Sequence, residues 1–239
     1  MSVHLFETPE RLAGAAARAF VERAEKATAE RGRFAVALAG GSTPKATYEV
    51  LARDHAGRVD WPNVHVFFGD ERTVPPDHED SNYRMAREAL LDRVPVGPVH
   101  RMRGELPPDE AAASYEEELR EFFGAEPPVL DLIMLGIGGD GHTASLFPET
   151  SALEVTDRLV VANPVLKLET IRLTLTAPVL NAAREVVFLV AGGGKAEALE
   201  EILEGDADPR AYPAKLVRPP GGPTWMVDRA AAGLLKRPA

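Results

Sequence analysis

Short segments that are apolar throughout alternate along this chain with longer segments in which apolar residues recur every three or four positions. The first pattern is typical of strands buried on both sides, and the second of helices with one buried face. The strand pattern occurs at residues 34–40, 64–70, 130–136, 159–165, 171–176 and 185–192, and at the start of 223–235. The helix pattern occurs at residues 9–31, 42–54, 81–93, 109–123 and 195–205, and at the end of 223–235. This alternation predicts an α/β fold with a mostly parallel sheet and helices on both faces.

No repeat, low-complexity tract or long linker interrupts the alternation, so we expect a single domain over residues 1–239. Ligands of open α/β sheets bind beyond the carboxyl ends of the strands. Four polar, glycine-containing segments follow predicted strands here: GGSTP at 40–44, GDER at 69–72, GIGGDGH at 136–142 and GGGK at 192–195. We therefore expect these four loops to form one site.

The composition excludes several classes of function. The net charge of -10 argues against nucleic acid as a partner, because binding to a phosphate backbone needs a basic face. No apolar run approaches the roughly 18 residues of a membrane span, and no secretion leader is visible at the start. With no cysteine there are no disulfides and no thiolate ligands. We expect a cytoplasmic protein with a small-molecule partner, no membrane partner, and a monomeric rather than oligomeric state.

The segment LDLIMLGIGGDGHTASLFP at 130–148 carries the most informative pattern. Its glycines, which include Gly138 and Gly139, allow a tight turn and a close approach of the backbone to a ligand. Asp140 and His142 flank the last glycine, so a side chain that exchanges protons near neutral pH lies in this turn. We expect a short helix after it, closed by Pro148. The turn also fits G-x-G-x-x-G, but that helix is too short for a dinucleotide site, and no acidic residue ends the next strand.

The segment GGSTP has the features of a phosphate site at a helix N-terminus. We expect Ser42 or Thr43 to cap the helix, while Pro44 suits its first turn. The free amides that follow Gly41, together with the positive end of the helix dipole, favour an anion. An ordinary capped helix start is an equally good interpretation of this segment alone.

Three cations and a carboxylate complete the candidate site. Asp70 can orient a base or a substrate hydroxyl, and Arg72 can pair with phosphate through two donors. Lys195 begins a helix, where a cation is locally unfavourable unless an anion binds, and Arg172 lies within a strand pattern. The alternatives are a surface salt bridge for GDER, a solvated Lys195 and a structural partner for Arg172. Ala196 stands where Mg²⁺ binding in a phosphate loop needs Ser or Thr, which disfavours a nucleoside triphosphatase.

Two other chemistries lack support in the sequence. No His or Cys spacing supports a metal site, and neither Ser42 nor Ser145 lies in a G-x-S-x-G elbow. General acid–base chemistry by His142 on a phosphorylated small molecule remains, without metal or nucleotide. Either Asp70 or Asp140 can orient the imidazole.

Taken together, these loops resemble the glucosamine-6-phosphate isomerase/6-phosphogluconolactonase family, and specifically its lactonase branch. The resemblance rests on LAGGSTPKATYEVL, Trp61 through HVFFGDERTVPPDHEDSNYRMAREALL, LDLIMLGIGGDGHTASLFP, IRLTLT, GGGKAEAL, PAKLVRP and WMVDRAAA. It implies a modified Rossmann-like fold, hydrolysis of 6-phosphogluconolactone in the oxidative pentose phosphate route, and no cofactor.

By this resemblance His142 corresponds to the general base, and Asp70 to the acidic position of GDER. The glycine-rich loop at 40–43, Arg72, Arg172 and Lys195 correspond to positions around the phosphate. One departure is NPVLKLETIR before Arg172, where family members usually carry a Lys-Pro-rich run.

Three other functions are compatible with parts of the pattern. The first is deamination of glucosamine 6-phosphate, but that branch typically has tyrosine at the position of Arg72. A non-catalytic sugar-phosphate sensor is the second, although no basic helix-turn-helix precedes residue 34. The third, a nicotinamide-dependent oxidoreductase, conflicts with the short helix expected after Gly141.

Overall fold

A computed structural model describes residues 1–124 and 127–236, and six parallel strands form its main sheet. The strands in these residues are β1 (Ser2–Phe6), β2 (Phe34–Leu38), β3 (Val64–Phe68), β4 (Asp70–Arg72), β5 (Leu132–Leu135), β6 (Val160–Val165), β7 (Thr170–Leu175), β8 (Val186–Val190) and β9 (Thr224–Asp228). The helices are α1 (Pro9–Arg31), α2 (Ser42–Asp54), α3 (Asn82–Ala89), α4 (Pro108–Phe123), α5 (Ala177–Ala182) and α6 (Ala196–Glu204). The main sheet has the order β1-β9-β8-β5-β2-β3, and a small antiparallel sheet has the order β4-β7-β6.

Alternate residues of the parallel strands enter two separate cores. On β2, Phe34, Val36 and Leu38 pack with α1, α2 and α3 on one face of the sheet. Ala35 and Ala37 face the other side, where α4, α5, α6 and the small sheet cover the core. Strands with both faces buried account for the continuously apolar runs of the sequence. The predicted α/β fold with a mostly parallel sheet and helices on both faces is confirmed.

Gly69 is the single residue between β3 and β4, and it connects the two sheets. Its amide donates to the carbonyl of Leu38 in β2 at 3.0 Å, and its carbonyl accepts from the amide of Leu175 in β7 at 2.9 Å. The chain therefore leaves the parallel sheet at Phe68 and enters the antiparallel sheet at Asp70. None of the helices among the described residues combines the length and the apolar character that a membrane span requires.

Two predicted helices are wrong. Residues 142–148 form a turn closed by a bridge between Thr143 and Leu146, because Ala144 takes a positive φ of 46° that an α-helix does not allow. After β9, residues 229–234 form hydrogen-bonded turns instead of a helix. There the carboxylate of Asp228 accepts from the amide of Ala231 at 2.8 Å.

Several smaller elements differ from the sequence pattern. Helix α3 ends at Ala89, and residues Leu91–Arg93 form a separate 3-10 turn, so the predicted helix at 81–93 is too long. The sequence pattern missed β1 and β4 because neither strand is continuously apolar, and it missed α5 because a helix of six residues is too short to show a helical period. It also did not separate β6 and β7 from the parallel sheet.

A buried carboxylate fastens the small sheet to α4. Glu116 is 2% exposed, and it accepts hydrogen bonds from the amides of Leu159 and Val160 and from the Arg158 guanidinium. Burial alone would raise the pKa of Glu116, but these donors outweigh it and hold the pKa below its usual value. The ionised form of Glu116 is therefore the form that stabilises the fold.

We expect Glu116→Gln to lower the free energy of unfolding at pH 7 by about 1–3 kcal/mol, since the amide cannot satisfy the same donors. Because the folded-state pKa is depressed, this contribution is present above the usual carboxyl pKa and is lost as pH falls through the folded value. Urea unfolding at neutral and acidic pH measures it, with the exposed neighbour Glu117→Gln as control. A stability difference that stays constant into acid would contradict the assignment.

Candidate functional site

A cleft of about 220 Å³ opens where β2, β3, β5 and β8 end. The chain runs from β2 to β3 on one side of β2, and β5 lies on its other side, so the strand order reverses here. The cleft is lined by six predicted site residues, Gly41, Asp70, Arg72, Gly138, His142 and Lys195, and by Ala39, Gly40, Asn82, Gly136, Ile137 and Ala144. The loops that the sequence singled out thus converge on one cleft.

Within it, the imidazole of His142 is held from two sides. Its Nδ1 lies 2.6 Å from Oδ1 of Asp140, and its ring stacks on Phe147 with 4.1 Å between ring centres. Its Nε2 has no hydrogen-bond partner within residues 1–124 and 127–236. Asp140 rather than Asp70 is therefore the carboxylate that contacts the imidazole.

Asp140 is arranged to remain ionised. Burial would raise its pKa, but hydrogen bonds from His142 and from Nζ of Lys167 outweigh burial and hold the pKa of Asp140 well below its usual range. An ionised carboxylate beside Nδ1 favours the tautomer in which Nδ1–H donates to Asp140 and Nε2 is the acceptor nitrogen. This is the protonation pattern that a general base needs.

Glycine at position 138 makes this pair possible. A Cβ there would lie 2.0 Å from Nδ1 of His142 and 2.4 Å from Oδ1 of Asp140. The Gly138 amide closes the turn by donating to the His142 carbonyl at 2.8 Å, so it is not available to a ligand. Gly139 packs closely on the neighbouring loop, where an added Cβ would lie 3.0 Å from the Gly194 carbonyl.

Asp70 lines the same cleft but belongs to a different network. Its Oδ2 accepts from the Ser145 hydroxyl at 2.6 Å, and its Oδ1 accepts from the Asn82 amide at 3.2 Å. Asn82 itself fits against Gly40, where an added Cβ would lie 1.9 Å from its Oδ1. Asn82 was not predicted from the sequence, because nothing in its pattern distinguishes it from an ordinary first residue of a helix.

The glutamate of GDER points away from the cleft. Glu71 is 3% exposed and accepts from the Ser81 hydroxyl and from the amides of Asn82 and Tyr83 at the start of α3. Burial raises the pKa of Glu71 despite these donors. Its contacts fix α3, and with it Asn82, against β4.

Arg72 and Arg172 face each other across the small sheet. They are register partners in β4 and β7, and like charges opposite each other are unfavourable in a sheet. Arg72 donates to the carbonyl of Asp80, and the buried Nε of Arg172 has no partner. Burial and the charge of Arg72 lower the pKa of Arg172. Within the described part of the chain, neither arginine forms a salt bridge to a carboxylate.

Lys195 is the third predicted cation, and it lines the cleft. It ends a 3-10 turn, Gly193–Lys195, that leads into α6. No carboxylate pairs with its ammonium group in the regions that the structure describes. Lys195 therefore remains available to an anion in the cleft.

The prediction that Ser42 or Thr43 caps α2 is wrong. Gly41 is the N-cap, with φ of 98°, and no side chain hydrogen-bonds to the first turn. This φ lies in the region that glycine tolerates, so backbone geometry alone starts the helix. The amides of Ser42 and Thr43 are unpaired first-turn groups of the kind that bind anions.

The turn between β6 and β7 contributes a residue that was not predicted from the sequence. Lys167, in the segment that departs from the family pattern, donates through Nζ to Oδ2 of Asp140. Lys167 lies close in sequence to the predicted site residue Arg172, and this was the available signal for it. A sequence does not show, however, which loop a lysine side chain reaches. No cluster of three or more metal-ligating side chains occurs among the residues described.

Comparisons with known proteins identify the family of the chain. Residues 7–226 match the family of glucosamine-6-phosphate isomerases/6-phosphogluconolactonase. The 6-phosphogluconolactonase of Synechocystis sp. is 50% identical over 220 residues, which covers 90% of each chain. The human 6-phosphogluconolactonase is 41% identical over 248 residues, covering 99% of this chain and 94% of the human one.

A solved structure gives the same result. The 6-phosphogluconolactonase from Trypanosoma cruzi superposes with a TM-score of 0.88 at 30% identity, covering 99% of this chain and 97% of that one. The family that the loop motifs predicted is therefore confirmed. The chain belongs to the glucosamine-6-phosphate isomerase/6-phosphogluconolactonase family of enzymes.

Proposed function

We propose that this chain hydrolyses the ester of 6-phosphogluconolactone to 6-phosphogluconate, with His142 as the general base. One observation carries the proposal: an imidazole with a free Nε2 opens into the same cleft as two cations that lack carboxylate partners, Arg72 and Lys195. A base beside an anion site suits a phosphorylated ester. The lactonase names of the relatives support the same reaction.

The reaction begins with attack of water on the lactone carbonyl carbon. Nε2 of His142 takes one proton from the water as its oxygen forms the new C–O bond, which gives a tetrahedral oxyanion. The bond from this carbon to the ring oxygen then breaks, and His142 returns the proton to that oxygen. Asp140 stabilises the transient imidazolium through Nδ1. The amide of Gly139 is the donor of the turn that we assign to the oxyanion, since that of Gly138 is engaged.

The phosphate binds at the other end of the cleft in this proposal. Arg72 and Lys195 line the cleft and contact the phosphate directly, together with the first-turn amides of α2 at Ser42 and Thr43. Arg172 lies beside Arg72 on the neighbouring strand β7, and a bound dianion relieves the repulsion between the two guanidinium groups. Asp70, held by Ser145 and Asn82, accepts a hydrogen bond from a sugar hydroxyl.

We expect His142→Ala to lower kcat by about 10²–10⁴-fold, the usual contribution of a positioned proton acceptor. The assay follows acid release from freshly prepared 6-phosphogluconolactone above the spontaneous rate. His4→Ala, on the exposed face of edge strand β1, is the matched control and should keep full activity. A folded His142→Ala enzyme with near-normal turnover would remove His142 from this role.

Arg72→Met and Lys195→Met test the phosphate site. Each should lower kcat/KM for the phosphorylated lactone by about 10- to 100-fold, mainly through KM, because a hydrogen bond between charged groups is lost. The same variants should hardly change the slow hydrolysis of unphosphorylated gluconolactone. Arg53→Met, an exposed arginine on α2, serves as control. Equal losses on both substrates would assign Arg72 and Lys195 to structure.

Incubation with glucosamine 6-phosphate distinguishes the two activities named in the family. We expect no ammonia above background, because Arg72 occupies a position where the deaminase branch typically has tyrosine. Enzymatic ammonia measurement under conditions in which lactone is cleaved provides the comparison. Ammonia release by an enzyme that cleaves no lactone above the spontaneous rate would overturn the assignment to hydrolysis.

A further inference from the structure

Lys167 contacts both groups that hold the imidazole of His142. Its Nζ donates to Oδ2 of Asp140 and lies 5.1 Å from the centre of the Phe147 ring, which itself stacks on His142. The residue is in the 3-10 turn Leu166–Leu168 between β6 and β7. The side chain of Lys167 therefore connects the small antiparallel sheet to Asp140 and His142.

The hydrogen bonds to Asp140 come from two different parts of the chain. Oδ1 of Asp140 accepts from the amide and from Nδ1 of His142, two positions along the same loop. Those bonds fix the carboxylate of Asp140 relative to the imidazole of His142. Because both residues lie in the same loop, the bonds do not fix the pair relative to the rest of the fold. Among the described residues, Lys167 provides the side-chain hydrogen bond to Asp140 that comes from another element, 27 positions away.

We propose that Lys167 is a positioning residue: by holding the second oxygen of Asp140, it fixes the carboxylate that aligns His142 with the attacking water. The inference rests on the proposed function of His142 as the base. Its physical basis is that a small displacement of a reacting group slows a reaction steeply, even when the displaced contact is remote from the chemistry. Lys167 is half exposed and its ammonium group is engaged by Asp140, so it acts through the carboxylate and not on the substrate.

Lys167→Met should lower kcat by about 10- to 100-fold and leave KM for the phosphorylated lactone nearly unchanged. Lys167→Arg should restore most of the loss, because a guanidinium group can also donate to Oδ2. Leu166→Ser is the matched control, since Leu166 is 86% exposed on the same turn and should tolerate the change. A rise in KM with unchanged kcat would overturn the proposal and make Lys167 a substrate ligand.

A double-mutant cycle tests whether Lys167 acts through Asp140. In an Asp140→Asn background, Lys167→Met should have little further effect on kcat, because the carboxylate that it holds is gone. The same loss of kcat in both backgrounds would show that Lys167 acts independently of Asp140. That result would overturn the positioning role.

A readout without activity separates this inference from the proposed function. In ¹⁵N NMR of the His142 ring, the parent enzyme should show one tautomer, with the proton on Nδ1, and Lys167→Met should show a mixture of tautomers. If the spectra change as expected but the enzyme does not cleave the lactone, the proposed function fails while the coupling of Lys167 to His142 stands. Unchanged spectra in an active enzyme would overturn the coupling.

Discussion

The hydrogen bond between Asp140 and His142 is the interaction on which the cleft depends, and it exists because position 138 carries no side chain. A Cβ at that position would occupy the space between the carboxylate and the ring. The glycines of this turn therefore have different tasks, since Gly138 makes room for the pair and Gly139 brings the backbone against the loop at Gly194. Since Asp140 engages Nδ1, Nε2 is the ring nitrogen of His142 that the described residues leave free in the cleft, which Arg72 and Lys195 also line.

The small antiparallel sheet is the second requirement of the site. It supplies Asp70, Arg72 and Arg172, and its β6–β7 turn supplies Lys167, whereas the parallel sheet positions His142 and Lys195. Buried carboxylates fasten this sheet in place: Glu116 holds β6 to α4, and Glu71 holds β4 to α3. Each of them accepts hydrogen bonds from at least three donors, so neither buried carboxylate is left without partners. The site is thus assembled between two sheets and is not built on one.

The sequence predicted the larger elements and the loops of the cleft, because the parallel strands β2, β3, β5 and β8 are largely apolar on both faces and each ends in a recognisable segment. Such patterns are local: residues 130–142 contain both the apolar strand pattern of β5 and the glycine-rich turn that follows it. Two errors had a different origin. The residues after Gly141 have helix-compatible composition, but tertiary contacts of Thr143 and Ser145 hold them in a turn. At α2 the sequence offered hydroxyl caps, whereas the backbone of Gly41 begins the helix without them. Asn82 and Lys167 were missed since their importance arises only from loops that meet in three dimensions.

The position of Gly69 between the two sheets limits the insertions and deletions that the fold tolerates. Successive side chains of a strand point to opposite faces, so Asp70 enters the cleft while Glu71 turns toward α3. One residue gained or lost between Phe68 and Asp70 would exchange these two directions and bring Glu71 into the cleft in place of Asp70. Length at this junction is therefore as strictly constrained as the identity of the residues around the substrate, even though Gly69 itself contributes no chemistry.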